Sequence, residues 1–165
     1  MIENTALSAS QEEYITTILT IVRDKKAARA TDISRRMGVK GPSVTSALKS
    51  LAEKELVNYA PYDLITLTDK GEKLATEIER RQKVLRTFLI KVLSINPLLA
   101  EENAKRMEHA ISPIVLTRLT KFIEYYDTCP GEKVQWVDDM GYFCETPLPQ
   151  CATCSQPGSK IGKPE

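Results

Sequence analysis

Histidine is almost missing from this 165-residue chain; there is one, His109. A Ser-His-Asp hydrolase would have to route every proton transfer through that residue, so hydrolytic chemistry is a poor reading. Glycine is scarce, and no glycine-rich loop of the kind that cradles phosphate occurs. No apolar run approaches the ~18 residues of a membrane span. The start, Met1-Ile2-Glu3-Asn4, lacks the basic stretch and apolar run of a secretory signal. The expected location is therefore the cytoplasm, with no membrane partner. Internal repeats are absent too. Net charge is only +1, but it is unevenly spread.

Between Arg23 and Lys54, nine Lys/Arg stand against three acids, which leaves a local charge of +6. A basic region on an otherwise acidic chain is the footprint of a polyanion partner. The same region carries a helix-turn-helix pattern. Thr31 is a good N-cap, with Ile33 and Met37 on one apolar face behind it. Gly38 offers the left-handed conformation that ends a helix. After Val39-Lys40-Gly41, Pro42 opens a second helix, predicted over Pro42–Leu51. Val44, Leu48 and Leu51 form its inner stripe. Ser43, Thr45, Ser46 and Lys49 are left for the outer face, where short hydroxyls and a lysine suit base edges and phosphates in a major groove. Lys40, Arg35 and Arg36 are expected on phosphates. Leu56–Tyr59 and Leu64–Leu67 are predicted to pair as a wing around Ala60-Pro61-Tyr62-Asp63.

Helices surround this segment. Ser8 or Ser10 can cap a first helix whose apolar positions run from Tyr14 to Val22. Thr68 caps a long one reaching about Leu93, with Leu74, Ile78, Leu85, Phe88, Leu89 and Val92 as its stripe. Asn96-Pro97 breaks it. A helix follows over Leu98–Ala110, and another after the cap Ser112-Pro113. The fold class is thus mainly α. A winged helix-turn-helix is expected over 1–67, a helical unit over 68–127 and a Cys-rich segment over 128–165. The short amphipathic helices cannot hide all their apolar faces alone, so a homodimer is expected. Two-fold symmetry would present twin recognition helices to a palindromic site on double-stranded DNA.

All four cysteines lie in the last stretch, as Cys129, Cys144, Cys151 and Cys154. At this density in a cytoplasmic protein, thiolates point to metal more than to disulfides. A tetrahedral zinc site would contribute folding energy outright. An iron–sulfur cluster uses the same ligands, and redox-switching thiols are a third reading. Trp136, Tyr142 and Phe143 interleave with acids rather than lysines, so they are expected to shield such a site. The polar tail from Ser155 is expected to be disordered. The alternative function is a thiol or iron–sulfur redox protein on a helical scaffold; the basic segment argues against it. A protein-binding adaptor is a further alternative.

Several segments together carry a family resemblance. They are Ser10-Gln11-Glu12-Glu13-Tyr14, Gly41-Pro42-Ser43-Val44-Thr45, Leu67-Thr68-Asp69-Lys70-Gly71, Arg80-Arg81-Gln82 and Met107-Glu108-His109-Ala110-Ile111-Ser112. From about Ser8 to Tyr126 the chain resembles the DtxR/MntR family of iron- and manganese-dependent transcriptional repressors, without the SH3-like third domain of longer members. The resemblance implies a dimeric winged-helix protein that binds operator DNA when Fe2+ or Mn2+ occupies its site. It implies Glu13, Glu108 and His109 as ligands. It also marks departures: Thr16, Gln82 and Lys105 stand where the family supplies ligands, and Arg86 replaces an acid of an ancillary site that retains Glu101. An ammonium has no lone pair to give. Lys105 is therefore expected to stand in for part of the metal's charge by pairing with Glu13 or Glu108.

Overall fold

The computed structural model describes residues 7–60 and 63–128, and the backbone of Gln135–Val137 and Tyr142–Cys144. The elements run α1 (Ala9–Lys25), α2 (Ala30–Met37), α3 (Gly41–Glu53), β1 (Val57–Asn58), β2 (Thr66–Leu67) and α4 (Asp69–Lys91), then α5 (Pro97–Glu108), α6 (Pro113–Thr128), β3 (Gln135–Val137) and β4 (Tyr142–Cys144). The fold is mainly helical with two small antiparallel hairpins. It divides into two units, Met1–Arg81 and Gln82–Glu165, with the boundary inside α4.

In the first unit, α1 begins with a capping box. The Ser8 hydroxyl accepts from the Gln11 N–H, and the Gln11 side chain accepts from the Ser8 N–H. Two orphan donors of the first turn are satisfied at once. From there α1 buries Tyr14, Ile15, Ile18, Leu19 and Ile21. Ile33 of α2, Val44, Leu48 and Leu51 of α3, and Ala75 and Ile78 of α4 close the same core. Each buried Leu or Ile stabilises the unit by roughly 2 kcal/mol relative to exposure.

The helix-turn-helix forms as expected at its turn. Gly38 sits at φ +66°, ψ +26°, the left-handed region that glycine enters without a Cβ penalty. The Ser34 hydroxyl donates to the Val39 carbonyl at 2.6 Å, and the Val39 N–H returns to the Ser34 carbonyl at 3.2 Å. The start of α2 differs from expectation. The N-cap is Arg29, extended at φ −112°, ψ +150°, and Thr31 lies inside the first turn. The cause is tertiary: Ala28 exchanges both backbone hydrogen bonds with Ile65 at 2.8 Å. That bridge holds the chain extended up to Arg29 and adds a third rung to the wing, so the helix starts directly after it.

The wing is shorter than its apolar runs suggest. β1 and β2 pair over two residues each, Val57 with Leu67 and Asn58 with Thr66; Pro61 and Tyr62 lie outside the described residues. Below the wing, Thr68 binds the strands to α4. Its N–H donates to the Leu56 carbonyl at 3.1 Å and its hydroxyl to the Glu55 carbonyl at 2.7 Å, while that hydroxyl accepts from the Gly71 N–H at 3.0 Å. The expected cap therefore also fastens the helix to the sheet.

In the second unit, Leu85 and Leu89 of α4 pack with Ala100 and Ala104 of α5 and Leu116 of α6. Ser94, at φ +56°, turns the chain out of α4. Asn96 caps α5 by accepting from the Leu98 N–H at 2.9 Å, ahead of Pro97 in its first turn. Both carboxylate oxygens of Asp127 lie 2.8 Å from the Lys91 ammonium, so the ends of α4 and α6 are tied. Phe88 and Phe122 meet edge to face with centroids 6.2 Å apart. Leu98, Leu99, Ile114, Val115, Phe122 and Tyr125 are exposed on α5 and α6. In the C-terminal hairpin, Gln135 pairs with Cys144, Trp136 with Phe143 and Val137 with Tyr142.

Candidate nucleic-acid interface and metal-binding residues

The basic surface of the first unit is built by α2, the Gly38 turn and α3. Arg35 and Arg36 occupy the last turn of α2 and are exposed. Lys40, the N-cap residue of α3, is exposed as well. On α3 the inner stripe is fully buried, as the periodicity requires. That turns Ser43, Ser46 and Lys49 to solvent and leaves Thr45 half-buried. Pro42 falls in the first turn, where its missing N–H costs nothing.

Some cations of this region are held in ion pairs and others are not. Arg23 pairs with Glu79 at 2.6 Å, and Lys25 with Asp32 at 3.1 Å. The Lys25 hydrogen bond is the main reason that the Asp32 carboxyl is held below its ordinary pKa. Arg35, Arg36, Lys40 and Lys49 form no ion pair among the described residues and remain available to an outside anion.

Sequence reasoning missed one feature here. The Gln11 side-chain amide donates to the Ser50 hydroxyl at 2.8 Å and joins the first turn of α1 to α3. The signal was partly legible: Ser-x-x-Gln is a capping box, which fixes where Gln11 points. Its partner, 39 positions away, is a matter of tertiary structure.

The metal-ligand candidates fall in both units. Glu108 ends α5 with 3 % of its surface exposed, the one buried charged residue among those described. His109 follows as the C-cap, with Nδ1 3.4 Å from Glu108 Oε2. A carboxylate beside an imidazole is a donor set that divalent transition metals accept. The pair therefore fits such an ion. On α1, Glu13 is exposed and Glu12 half-buried. The Thr16 hydroxyl is committed to the Glu12 carbonyl at 2.8 Å.

Lys105 is not paired as expected. Its ammonium lies 3.7 Å from Glu101 Oε1, and Arg86 holds the other oxygen of Glu101 at 3.2 Å. Helical side chains lean toward the N-terminus, so the stem of Lys105 reaches back one turn to Glu101 rather than forward to Glu108. Half of Lys105 is exposed. Of the cysteines, Cys144 lies in β4, while Cys129, Cys151 and Cys154 fall outside the described residues, as does the tail from Ser155.

Two family models match the chain. One, the N-terminal DNA-binding domain of iron-dependent repressors, spans residues 6–64. The other, their metal-binding and dimerisation domain, spans 68–136. An uncharacterized HTH-type transcriptional regulator of Methanocaldococcus jannaschii is 33 % identical over 73 % of this chain and 97 % of its own length. The transcriptional regulator MntR of Escherichia coli is 34 % identical over 68 % of this chain and 72 % of its own. Among solved structures, a manganese-dependent transcriptional repressor complexed with manganese superposes with a TM-score of 0.62 at 26 % identity, covering 84 % of this chain and 63 % of that one. The chain thus spans less than two thirds of that structure. No helix among the described residues is long and apolar enough to cross a membrane. With both domains matched in order and the helix-turn-helix, wing and Glu-His helix in place, this chain belongs to the DtxR/MntR family of metal-dependent transcriptional regulators.

Proposed function

We propose that the protein is a metal-responsive transcriptional repressor that grips palindromic operator DNA as a homodimer. The observation that carries this reading is the outer face of α3. Ser43, Ser46 and Lys49 point outward over a buried stripe, flanked by the exposed cations Arg35, Arg36 and Lys40, which form no ion pair among the described residues. Hydroxyls and Lys49 meet base edges, Thr45 lies at the border, and the flanking cations meet phosphates. The exposed residues of α5 and α6 named above supply the apolar surface that a two-fold partner would cover. Glu108 and His109 are the core ligands for Fe2+ or Mn2+, with Glu13 as the proposed carboxylate from α1. Glu12 is the alternative donor from the same turn.

A gel-shift against genomic fragments, with and without MnCl2, tests the reading. Retention is expected to depend on sequence and on metal. The four proposed DNA-contacting cations of each protomer, Arg35, Arg36, Lys40 and Lys49, give eight per dimer, so log K is expected to fall against log salt with a slope of roughly −7. Binding that is indifferent to both sequence and salt would refute it.

The cysteines carry a second, separate proposal. Both family models end by residue 136, so Cys144, Cys151 and Cys154 lie beyond the part shared with the family. We infer that the four thiolates form a tetrahedral Zn2+ site or hold an iron–sulfur cluster. Chain purified without oxygen is expected to contain one zinc, or iron with visible absorption, per chain in addition to the family metal. Cys151→Ser is expected to abolish it. A metal-free, colourless preparation with four titratable thiols would exclude the metal site and leave redox-switching or incidental thiols.

A further inference from the structure

Between the N-terminal turns of α1 and α3 lies an open groove, bordered by Ser8, Gln11 and Tyr14 on one side and by Ser43, Ser46 and Ser50 on the other. The N-terminal half of α3, which carries the candidate base contacts, therefore has open space where it faces α1. A polar tie joins its two sides. Gln11 Nε2 donates to Ser50 Oγ at 2.8 Å, and the contact is partly buried.

Gln11 is rigidly placed for this task. Its backbone N–H is held by the Ser8 hydroxyl at 3.3 Å, and its Oε1 accepts from the Ser8 N–H at 3.1 Å. The amide is then pinned on its oxygen side, leaving the nitrogen aimed across the groove. Ser50 lies one turn beyond Ser46 and two beyond Ser43 on the same row of α3. A tie at Ser50 acts on the row that offers those hydroxyls.

We propose that Gln11 is a positioning residue for the recognition helix. Through Ser50 it sets the angle at which α3 offers Ser43 and Ser46 to duplex DNA, and so it governs sequence discrimination rather than overall affinity. The inference rests on the DNA-binding reading above. Phosphate contacts tolerate small rotations of a helix because charges act over distance, whereas hydrogen bonds to base edges do not. Loosening the tie therefore reduces the specific term and spares the non-specific one.

The test starts with a random-sequence duplex pool enriched by the wild-type chain in MnCl2. Affinity is then measured by fluorescence anisotropy for the selected duplex and a scrambled one, over a range of salt. Ser50→Ala leaves the α1 cap intact and is expected to lose about tenfold in affinity for the selected duplex, the scale of one hydrogen bond. Its affinity for the scrambled duplex and its salt slope stay as in wild type. Gln11→Ala behaves alike, and the double variant loses no more than either single one. Gln11→Glu retains discrimination, because its carboxylate accepts from both the Ser8 N–H and the Ser50 hydroxyl. A Ser50→Ala protein that discriminates like wild type overturns the proposal, as does an equal loss on both duplexes. If the wild-type chain enriches no sequence, the DNA-binding reading falls first, before any variant is made.

Discussion

Gly71→Ala is expected to lower the melting temperature by roughly 10 °C, corresponding to about 3 kcal/mol. Gly71 sits in the first turn of α4, pressed against the backbone of Leu56, just ahead of β1. A methyl group there would overlap the Leu56 carbonyl oxygen and approach its carbon to 2.8 Å. Neither atom can yield. The Leu56 oxygen accepts from the Thr68 N–H, and the Gly71 N–H is held by the Thr68 hydroxyl. Relief would have to separate α4 from the wing and break the hydrogen bonds that fix both. The other described glycines give the scale. Gly41 has an ordinary φ, and a methyl group on it would meet no atom within 4 Å, so Gly41→Ala is expected to be neutral or to stabilise by up to ~1 kcal/mol. Gly38 also has space but lies at φ +66°, and alanine there costs about 1 kcal/mol. Thermal unfolding followed by circular dichroism checks the order. A Gly71→Ala protein that melts within about 2–3 °C of wild type, the shift expected from well under 1 kcal/mol to 1 kcal/mol, would show that the helix–wing junction is softer than described.

His109→Ala is expected to remove the stabilisation conferred by metal. A ligand that binds only the folded chain, present at a hundred times its dissociation constant, stabilises by about 2.7 kcal/mol, which for this size is a rise of roughly 8 °C. The wild-type chain in MnCl2 is expected to show a rise on that scale, and His109→Ala and Glu108→Gln none. A full rise in His109→Ala would exclude the Glu108–His109 pair as the core of the site. Glu13→Gln and Glu12→Gln divide the remaining question: whichever loses the rise identifies the α1 donor. Lys105→Glu tests the neighbourhood. It replaces an ammonium, one turn from His109, by a carboxylate, so a larger rise than wild type is expected.

Much of the fold follows from local pattern. Ser-x-x-Gln before an apolar helix, Gly38 after Met37, Pro42 in a first turn and Thr68 ahead of Gly71 each specify a helix end by backbone chemistry within a few residues. Each holds that role in the fold. Thr31 does not cap α2, because a good capping residue has no force where the preceding backbone is already committed, and Ala28 is committed to Ile65. The C-terminal hairpin was not legible either; Trp136–Val137 and Tyr142–Phe143 are too short a signal for strands in a stretch rich in proline and glycine.

By itself the sequence determined the mainly helical class, the helix-turn-helix and the outer face of α3, because each depends on spacing along one element; Glu108 and His109 stood out only through the family resemblance. Only the tertiary structure decided that Ala28 joins the wing, that Gly71 admits no Cβ, that Lys105 turns back to Glu101, and that Gln11 reaches Ser50. Each of these depends on which backbone or side chain lies opposite. Local periodicity fixes which face of an element is buried, but what meets that face depends on packing between residues far apart in the chain.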